Sequence, residues 1–390
     1  MNVFLIAGEP SGDRLGAALM TGLRQLQPDI GFAGVGGPMM EARGLVSAFP
    51  MQELSVMGLA EVLPKLRHLF KRRDELVDQI VLAKPDILIT IDSPDFCLRV
   101  ARKVRARAPA IPTAHYVAPT VWAWRPERAE KMASSIDHVL ALFPFEPPYM
   151  EAAGMSCDFV GHPIVAEPIA TDDEVASFRR QFGLGDAPVI LALPGSRQGE
   201  VSRLGDRFGQ ALTQVVDQFP DARIVVPTVG SVASRVHEFA ARWPGVPLVL
   251  DPRDMAPDDF IRVKRAAFRA ADVALAASGT VSLELAAAQT PMVIAYDMNW
   301  FSRRIIAAKA LIDTVTLVNI VTKSHVVPEF LSENCKPAGI ARALIDLLLD
   351  ENLRARQLEA CAQTMWALGQ GDEPPGLRAA LSVYDVIDRD

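Results

Sequence analysis

Residues 271–297, ADVALAASGTVSLELAAAQTPMVIAYD, contain the order of elements that decides the fold of this chain. A short apolar strand is predicted at Val273–Ala276, and a small polar turn follows it at 278–280. A helix then begins and carries Glu284 in its first turns, and a second strand is predicted at Met292–Tyr296. Strand, turn, helix and strand in this order are the repeating unit of a parallel α/β sheet.

The same turn has the chemistry of an anion-binding site, formed by Ser278, Gly279 and Thr280. Free backbone N–H groups and the helix dipole both favour a negative group placed at a helix N-terminus. The carboxylate of Glu284, one helical turn further along, can accept hydrogen bonds from both hydroxyls of a ribose. The turn therefore predicts a nucleotide diphosphate site in the second half of the chain.

Short runs of Val, Ile and Leu recur along the rest of the sequence, mostly separated by helical stretches. These runs lack alternation, which is typical of strands buried on both faces of a parallel sheet. The further predicted strands are Val3–Ala7, Gly31–Val35, Ile87–Ile91, Thr113–Val117, His138–Leu142, Asp158–Val160, Val189–Leu193, Arg223–Val226 and Leu248–Leu250. We predict an α/β fold of two Rossmann-like domains facing across a cleft, with ligands at the carboxyl ends of the strands.

The domain boundaries are predicted from a break in the pattern. Gly161-His162-Pro163, followed by an acidic and polar stretch, is the candidate linker. We therefore predict domains at residues 1–163 and 164–345, with further helices at 346–390.

Composition narrows the class of protein further. The 390 residues exceed one typical domain, and the net charge of −7 argues against a general nucleic-acid binder. Four cysteines without a CxxC pair favour a reduced, cytosolic protein without a zinc site or a disulfide framework. The chain starts directly with a strand, and no run of about 18 apolar residues occurs, so we expect neither a signal peptide nor a membrane span.

In the first half, the hydrophobic strand ILITI is followed directly by Asp92. A partly desolvated carboxylate at the ligand-bearing edge can act as a general base, although aspartate is also common at strand ends without a catalytic role. The first loop, GEPSGD, matches neither GxGxxG nor GK[ST], which excludes a dinucleotide fingerprint and a P-loop. Gly8, Ser11 and Gly12 there are candidates for close approach of a ligand, or form a turn that simply packs.

Two further loops contain candidate binding residues. The segment YVAPTVWAWR places Trp122, Trp124 and Arg125 after a strand, where aromatic planes can stack on a sugar or line an acyl chain, or can belong to an interdomain core. Arg197, in LPGSR, opens the first crossover of the second half. Its planar guanidinium suits a phosphate, and the alternative is an exposed loop arginine.

Residues 54–73 combine apolar and basic side chains at helical spacing. Such a helix suits an anionic membrane surface, and the alternative is an ordinary helix that packs on the sheet. The residues predicted to dock on a membrane are Leu59, Leu63, Lys65, Leu66, Arg67, Phe70 and Arg72.

The segments AGEPSGD, KPDILITIDSPDF, HYVAPTVWAWR, LFPFE, VGHP, LPGSR, ASGTVSLE, LVNIV and VPEF occur in this order between residue 7 and about residue 331. In these segments the chain closely resembles the lipid-A-disaccharide synthases. The resemblance implies a GT-B glycosyltransferase that needs no metal or other cofactor. It implies transfer from UDP-2,3-diacylglucosamine to 2,3-diacylglucosamine 1-phosphate (lipid X), with inversion, giving a β-1,6 disaccharide and UDP in the lipopolysaccharide pathway of Gram-negative bacteria.

The resemblance also implies roles for individual residues. Asp92 would be the base toward the acceptor 6′-hydroxyl, and Arg197 would contact the diphosphate of UDP. The turn at 278–280 would bind phosphate and Glu284 the ribose. Asn319 and Glu329 would lie on the nucleotide side of the cleft, with Asn319 a UDP-binding residue.

Partners and location follow from the same resemblance. Residues 1–163 would bind the lipid acceptor and 164–345 the UDP-sugar, while the helices of 346–390 would cross back to the first domain, possibly that of a partner subunit in a homodimer. The enzyme would be cytoplasmic, on the inner leaflet of the inner membrane, and would bind no nucleic acid. The alternatives are a UDP-sugar 2-epimerase of the same fold and a non-catalytic membrane-associated nucleotide-sugar binder.

Overall fold

The computed structural model describes residues 1–54, 59–297 and 311–388, with the backbone alone for residues 59–65. The chain forms two compact units. The first comprises Met1–Ala166 together with Leu368–Asp390, and the second comprises Glu167–Ala367.

The first unit is built on a seven-stranded sheet whose described strand pairs are all parallel, in the order β3-β2-β1-β4-β5-β6-β7. Its strands are β1 (Asn2–Ala7), β2 (Gly31–Val35), β3 (Val46–Ser47), β4 (Ile87–Ile91), β5 (Thr113–Tyr116), β6 (His138–Ala141) and β7 (Ser156–Phe159). The central strands β1 and β4 are almost fully buried. This burial explains why their sequences are continuous apolar runs rather than alternating ones.

The helices of the first unit connect and cover these strands. They are α1 (Pro10–Leu26), α2 (Pro38–Glu41), α3 (Leu59–Ala83), α4 (Pro94–Arg107), α5 (Glu127–Ala133), α6 (Pro147–Glu151) and, from the end of the chain, α15 (Pro375–Ile387). Helix α15 packs closely on α1, because a Cβ atom on Gly376 would lie 2.5 Å from the backbone oxygen of Ala18. The Tyr384 hydroxyl also donates to Gln27 Oε1 at 2.7 Å. The predicted return of the end of the chain to the first domain is confirmed.

The second unit contains a six-stranded parallel sheet in the order β10-β9-β8-β11-β12-β13. Its strands are β8 (Val189–Leu193), β9 (Arg223–Pro227), β10 (Leu248–Leu250), β11 (Val273–Ala276), β12 (Met292–Tyr296) and β13 (Glu329–Leu331). Its described helices are α7 (Asp172–Gln181), α8 (Gln198–Gln218), α9 (Ala233–Ala240), α10 (Pro257–Ala270), α11 (Val281–Ala287), α12 (Leu317–Thr322), α13 (Pro337–Leu349) and α14 (Glu351–Ala367).

The end of the second unit differs from the predicted boundary at residue 346. Helix α14 belongs to the second unit and does not return to the first. The buried side chain of Gln357 explains this placement, because its amide bonds with both backbone groups of Met292: Nε2 donates to the carbonyl oxygen at 3.1 Å, and Oε1 accepts from the N–H. Among the described helices after residue 166, only α15, which follows the Gly-rich break, crosses back.

Each sheet has one point where the strand order reverses. In the first unit this point lies between β1 and β4, and in the second it lies between β8 and β11. The loops after neighbouring strands diverge to opposite faces at such a point and leave a crevice, where open α/β sheets bind their ligands. Asp92 follows β4, and the turn at 278–280 follows β11.

Candidate active site

Asp92 lies at the reversal point of the first sheet, in an unusual backbone conformation. Asp92 and Ser93 have φ values of +52° and +44°, in the left-handed region. These two residues turn the chain from β4 into α4, and the Asp92 N–H donates to the Tyr116 carbonyl at 3.0 Å. Left-handed conformations of residues other than glycine cost energy and are concentrated at functional sites.

Two hydrogen bonds orient the half-buried Asp92 carboxylate. Its Oδ1 accepts from the Ser93 backbone N–H at 2.8 Å, and its Oδ2 accepts from the Ser11 hydroxyl at 3.2 Å. Ser11 is exposed on the first turn of α1, which follows β1, so the second bond spans the reversal point. The carboxylate keeps acceptor capacity for a substrate hydroxyl, as a general base requires.

The glycines of the first segment fit the packing alternative of the prediction. This segment is not a loop, because α1 begins at Pro10 and includes Ser11 and Gly12. Gly12 is buried, and a Cβ atom there would touch the backbone oxygen of Ile91 at 3.4 Å. A Cβ atom on Gly8 would lie 2.8 Å from Ser93 Oγ. Gly12 therefore serves the packing of α1 on the sheet, whereas Gly8 keeps space beside the turn that carries Asp92.

Trp122 does not offer its ring to a ligand. Its side chain is buried within the first unit, with its ring centroid 5.0 Å from that of Phe145 in an edge-to-face contact. Its indole Nε1 donates to Glu146 Oε1 at 3.2 Å. The predicted sugar-stacking role is thus corrected for Trp122. Trp124 is only half-buried, and the guanidinium of Arg125 lies 4.2 Å from the centre of its ring.

Two titratable side chains near Trp122 were not predicted. Glu146 is 2% exposed, and its Oε2 accepts from the backbone N–H groups of Leu142 and Phe143, each at 3.0 Å. Burial raises the pKa of Glu146 to about 7, although these N–H donors oppose the shift. Glu146 belongs to the segment LFPFE, and the second side chain, His162, belongs to VGHP. Both segments lie at the ends of predicted strands of the same sheet, and this position was the signal in the sequence.

The second of these side chains is His162, whose ring centroid lies 5.4 Å from that of Phe143. Burial, followed by the positive charge of Arg14, lowers the pKa of His162 to about 4. Its Nδ1 accepts from the Ile164 N–H at 3.1 Å, which places the proton of the neutral ring on Nε2.

In the second unit, the turn at 278–280 is accessible. Ser278 is half-buried, and Gly279 and Thr280 are exposed. A Cβ atom on Gly279 would have nothing within 4 Å, so the turn has open space around it. Within the described ranges, the backbone N–H groups of residues 279–281 donate to no other residue. They are available for an anion.

Arg197 lies on the neighbouring loop, because β8 and β11 are adjacent strands. Its side chain is 68% exposed, and Nη1 contacts Glu200 Oε1 at 3.0 Å. The buried Glu200 also accepts from the N–H groups of Ser196 and Arg197, at 3.1 and 3.2 Å. The backbone of Gly195, with φ +122°, lies close to Glu200, since a Cβ atom built on Gly195 would be 2.6 Å from Glu200 Cβ. Glu200, which was not predicted, therefore shapes the loop that presents Arg197.

Glu284 lies in the first turn of α11, as predicted, and it has a partner that was not predicted. Its Oε2 accepts from Lys264 Nζ at 2.6 Å. Lys264 lies on α10, 20 residues before Glu284. Because the two residues belong to different helices, their spacing in the sequence does not predict the contact.

Asn319 is buried and bonded to backbone groups, whereas Glu329 is half-buried with one carboxylate oxygen engaged. Asn319 is 1% exposed, and its amide exchanges two hydrogen bonds of 3.0 Å with the backbone of Val327. Glu329 Oε1 accepts from the Thr314 hydroxyl at 2.6 Å and from the Thr316 N–H at 2.7 Å. The assignment of Asn319 to UDP is corrected, because the buried amide already holds together the segments on either side of α12.

The predicted docking helix is α3, whose side chains are described from Leu66 onward. The side chains of Leu59, Leu63 and Lys65 lie outside the described residues. Arg67 and Phe70 are exposed, and Leu66 is half-buried. In the described part of the chain, no helix has both the length and the apolarity needed to cross a membrane.

Arg72 differs from the other predicted docking residues. Its guanidinium bonds to Glu53 at 2.8 and 3.0 Å and to Glu75 at 2.9 Å, and it lies 4.7 Å from the centre of the Phe49 ring. Because these contacts occupy the guanidinium within the first unit, Arg72 is removed from the predicted docking set.

One group of potential metal ligands occurs among the described residues, at His237, Asp251 and Asp254. The buried Asp251 carboxylate already accepts from the backbone N–H, Nε and Nη2 of Arg253, and it contacts His237 Nε2 at 3.1 Å. A cation would have to displace the guanidinium, so these residues do not form a prepared metal site.

Two open parallel sheets, each with one reversal point, place the chain in the class of GT-B folds. The UDP-GlcNAc 2-epimerase from Neisseria meningitidis, solved with UDP-GlcNAc, has a TM-score of 0.64 over 100% of both chains at 12% identity. A putative UDP-N-acetylglucosamine 2-epimerase from Listeria monocytogenes has a TM-score of 0.63 over 92% of this chain and 91% of its own, at 14% identity. At such low identity these similarities support the fold alone.

The sequence relatives are more specific. The family model described as Lipid-A-disaccharide synthetase matches residues 3–373. Lipid-A-disaccharide synthase from Ruegeria pomeroyi is 60% identical over 99% of this chain and 96% of its own length, and that from Rhodospirillum centenum is 46% identical over 99% and 94%. The chain belongs to the lipid-A-disaccharide synthase family and is a glycosyltransferase.

Proposed function

We propose that this glycosyltransferase joins UDP-2,3-diacylglucosamine to 2,3-diacylglucosamine 1-phosphate by direct displacement, with Asp92 as the base. In this mechanism Asp92 takes the proton of the acceptor 6′-hydroxyl while the oxygen attacks the anomeric carbon of the donor. Attack from the face opposite the leaving UDP inverts that carbon. The orientation of the carboxylate by Ser11 and Ser93 is the single observation that carries the proposal.

The leaving group has its own set of residues in the proposal. Arg197 is exposed, and it would exchange its contact with Glu200 for the diphosphate. The N–H groups of residues 279–281 would bind the same charge as it grows on the diphosphate. Glu284 would accept the ribose hydroxyls.

The first experiment identifies the product by mass spectrometry after incubation with both acylated glucosamine substrates. A β-1,6 disaccharide 1-phosphate together with UDP supports the proposal. An altered monosaccharide would instead indicate a UDP-sugar 2-epimerase, and absence of UDP release would indicate a nucleotide-sugar binder.

The second experiment tests the base. Asp92→Asn should lower kcat about 100- to 10,000-fold and leave UDP affinity intact, because a general base typically contributes that factor. Asp95→Asn is the matched control, since Asp95 is an exposed carboxylate in the same IDSPDF segment. Turnover of Asp92→Asn at the wild-type rate would remove Asp92 as the base.

We also propose that the enzyme docks on the cytoplasmic face of the inner membrane through α3, since Phe70 is 40% exposed next to the exposed Arg67. Phe70→Ser should reduce flotation with vesicles that contain anionic lipid, whereas Arg107→Ser, a cation of the same unit, should not. Equal binding of wild type and Phe70→Ser would contradict docking through α3.

A homodimer is proposed on the family resemblance. Light scattering after gel filtration tests this proposal, and the mass of a single chain would contradict it.

A further inference from the structure

The ion pair between Lys264 and Glu284 joins two helices beside the anion-binding turn. Nζ lies 2.6 Å from Oε2, and the two side chains are 34% and 37% exposed. Lys264 Nζ also lies 5.1 Å from the centre of the Phe268 ring, one turn further along α10. The ring and the carboxylate together fix the position of the ammonium group.

Folding stability gives little reason for this pair. Ion pairs that water can reach contribute little, because solvent screens the charges and two long side chains lose freedom. The pair nevertheless lies next to a turn whose N–H groups are accessible. The pair is therefore better explained by what it does for a ligand.

Lys264 affects the electrostatic interaction between Glu284 and a negative ligand at the turn. Glu284 lies one helical turn from Thr280, so its carboxylate would repel a bound diphosphate. The ammonium group of Lys264 offsets this repulsion. The ammonium group takes one acceptor site, on Oε2. A carboxylate has acceptor sites for about three further hydrogen bonds, enough for two ribose hydroxyls.

We infer that Lys264 is a positioning residue that orients the Glu284 carboxylate and gives the site its preference for ribonucleotides over 2′-deoxyribonucleotides. This inference rests on the proposed contact between Glu284 and the ribose. Lys264 acts through Glu284 and need not touch the nucleotide itself.

The experiment is calorimetric titration of UDP and 2′-deoxy-UDP into the full-length protein and its variants. Wild type should bind UDP about tenfold or more tightly than 2′-deoxy-UDP, since a hydrogen bond to a charged group has roughly that effect. Lys264→Met should weaken UDP about tenfold and reduce the preference to about threefold or less. Lys264→Arg should keep most of the preference, because it restores the cation.

Arg262→Met is the matched control, because Arg262 is also on α10 and also pairs with a carboxylate, Asp259, at 3.0 Å. It should change neither affinity. The inference is overturned if Lys264→Met weakens both nucleotides by the same factor, or if it leaves the preference unchanged.

Glu284→Gln separates this failure from failure of the proposed function. If Glu284→Gln abolishes the preference and Lys264→Met does not, only the role of Lys264 is refuted. If wild type shows no preference, or Glu284→Gln keeps it, the ribose contact itself is refuted.

Discussion

The buried carboxyl of Glu146 gives a prediction whose size can be worked from the structure. We consider the change Glu146→Gln, which keeps the size of the side chain and removes its titration. Burial raises the pKa of Glu146 to about 7 in the folded protein, from an ordinary value of 4.5. The folded state therefore binds this proton more tightly than the unfolded state does. The resulting stabilisation is complete below about pH 4.5 and is lost as the pH rises through about 7.

The expected magnitude follows from the same two values. Each pKa unit corresponds to about 1.4 kcal/mol, and integration over the two titrations gives a loss of about 2.5 kcal/mol between pH 5 and pH 8. The glutamine of the variant cannot titrate, so the difference in unfolding free energy between wild type and variant should fall by this amount over the same range. Taking the difference cancels the titration of the other groups. Following the change of that difference with pH also cancels the constant cost of placing an amide NH₂ beside N–H donors.

Urea denaturation at pH 5, 6, 7 and 8, followed for the first unit, measures this difference. A second observable is the fluorescence of Trp122, whose indole donates to Glu146 Oε1. Its emission should titrate with a midpoint near pH 7 in wild type and not in Glu146→Gln. Glu130→Gln, which alters an exposed carboxyl of the same unit, should behave as wild type. A difference in free energy that does not change with pH would refute the role of burial.

Three further predictions concern hydrogen bonds and close packing. Ser11→Ala should lower kcat about tenfold with little change in KM, and Ser11→Thr should retain most of the activity, because the hydroxyl orients Asp92; a wild-type kcat for Ser11→Ala would contradict this. Asn319→Ala should reduce the free energy of unfolding by about 2–4 kcal/mol, since two buried backbone groups of Val327 lose their partner. Calorimetry should find the UDP affinity of the folded variant unchanged, and weaker UDP binding without loss of stability would restore the original assignment. Gly376→Val should destabilise the contact of α15 with α1 by about 1–3 kcal/mol, because its Cβ would lie 2.5 Å from the Ala18 oxygen. Hydrogen exchange in α15 checks this, and unchanged protection would contradict it.

The sequence was sufficient to predict the fold and the position of two proposed site segments. Apolar runs identify buried parallel strands, and residues just after them must lie at the carboxyl edge of a sheet. That is why Asp92 and the turn at 278–280 were found. Pro10 also indicates the start of α1, because proline is favoured at the first position of a helix.

Side-chain partners could not be predicted in the same way. Lys264 and Glu284 come from different helices, and Glu146 reaches Trp122 from a different loop, so these contacts depend on how the elements pack. Asn319 was misassigned for a related reason. An asparagine that binds a ligand and one that bonds to buried backbone look the same in a sequence, and only its surroundings distinguish them.

The return of α15 to α1 has a consequence for the order of folding during synthesis. The first unit includes Leu368–Asp390, which leave the ribosome only after all of Glu167–Ala367. At a synthesis rate of about 5–20 residues per second, roughly 10–40 s pass between synthesis of the first sheet and synthesis of α15. During that time the surface of α1 around Gly22, which is buried in the folded unit, lacks its partner helix. A chain truncated before Leu368 would keep this surface of α1 uncovered permanently.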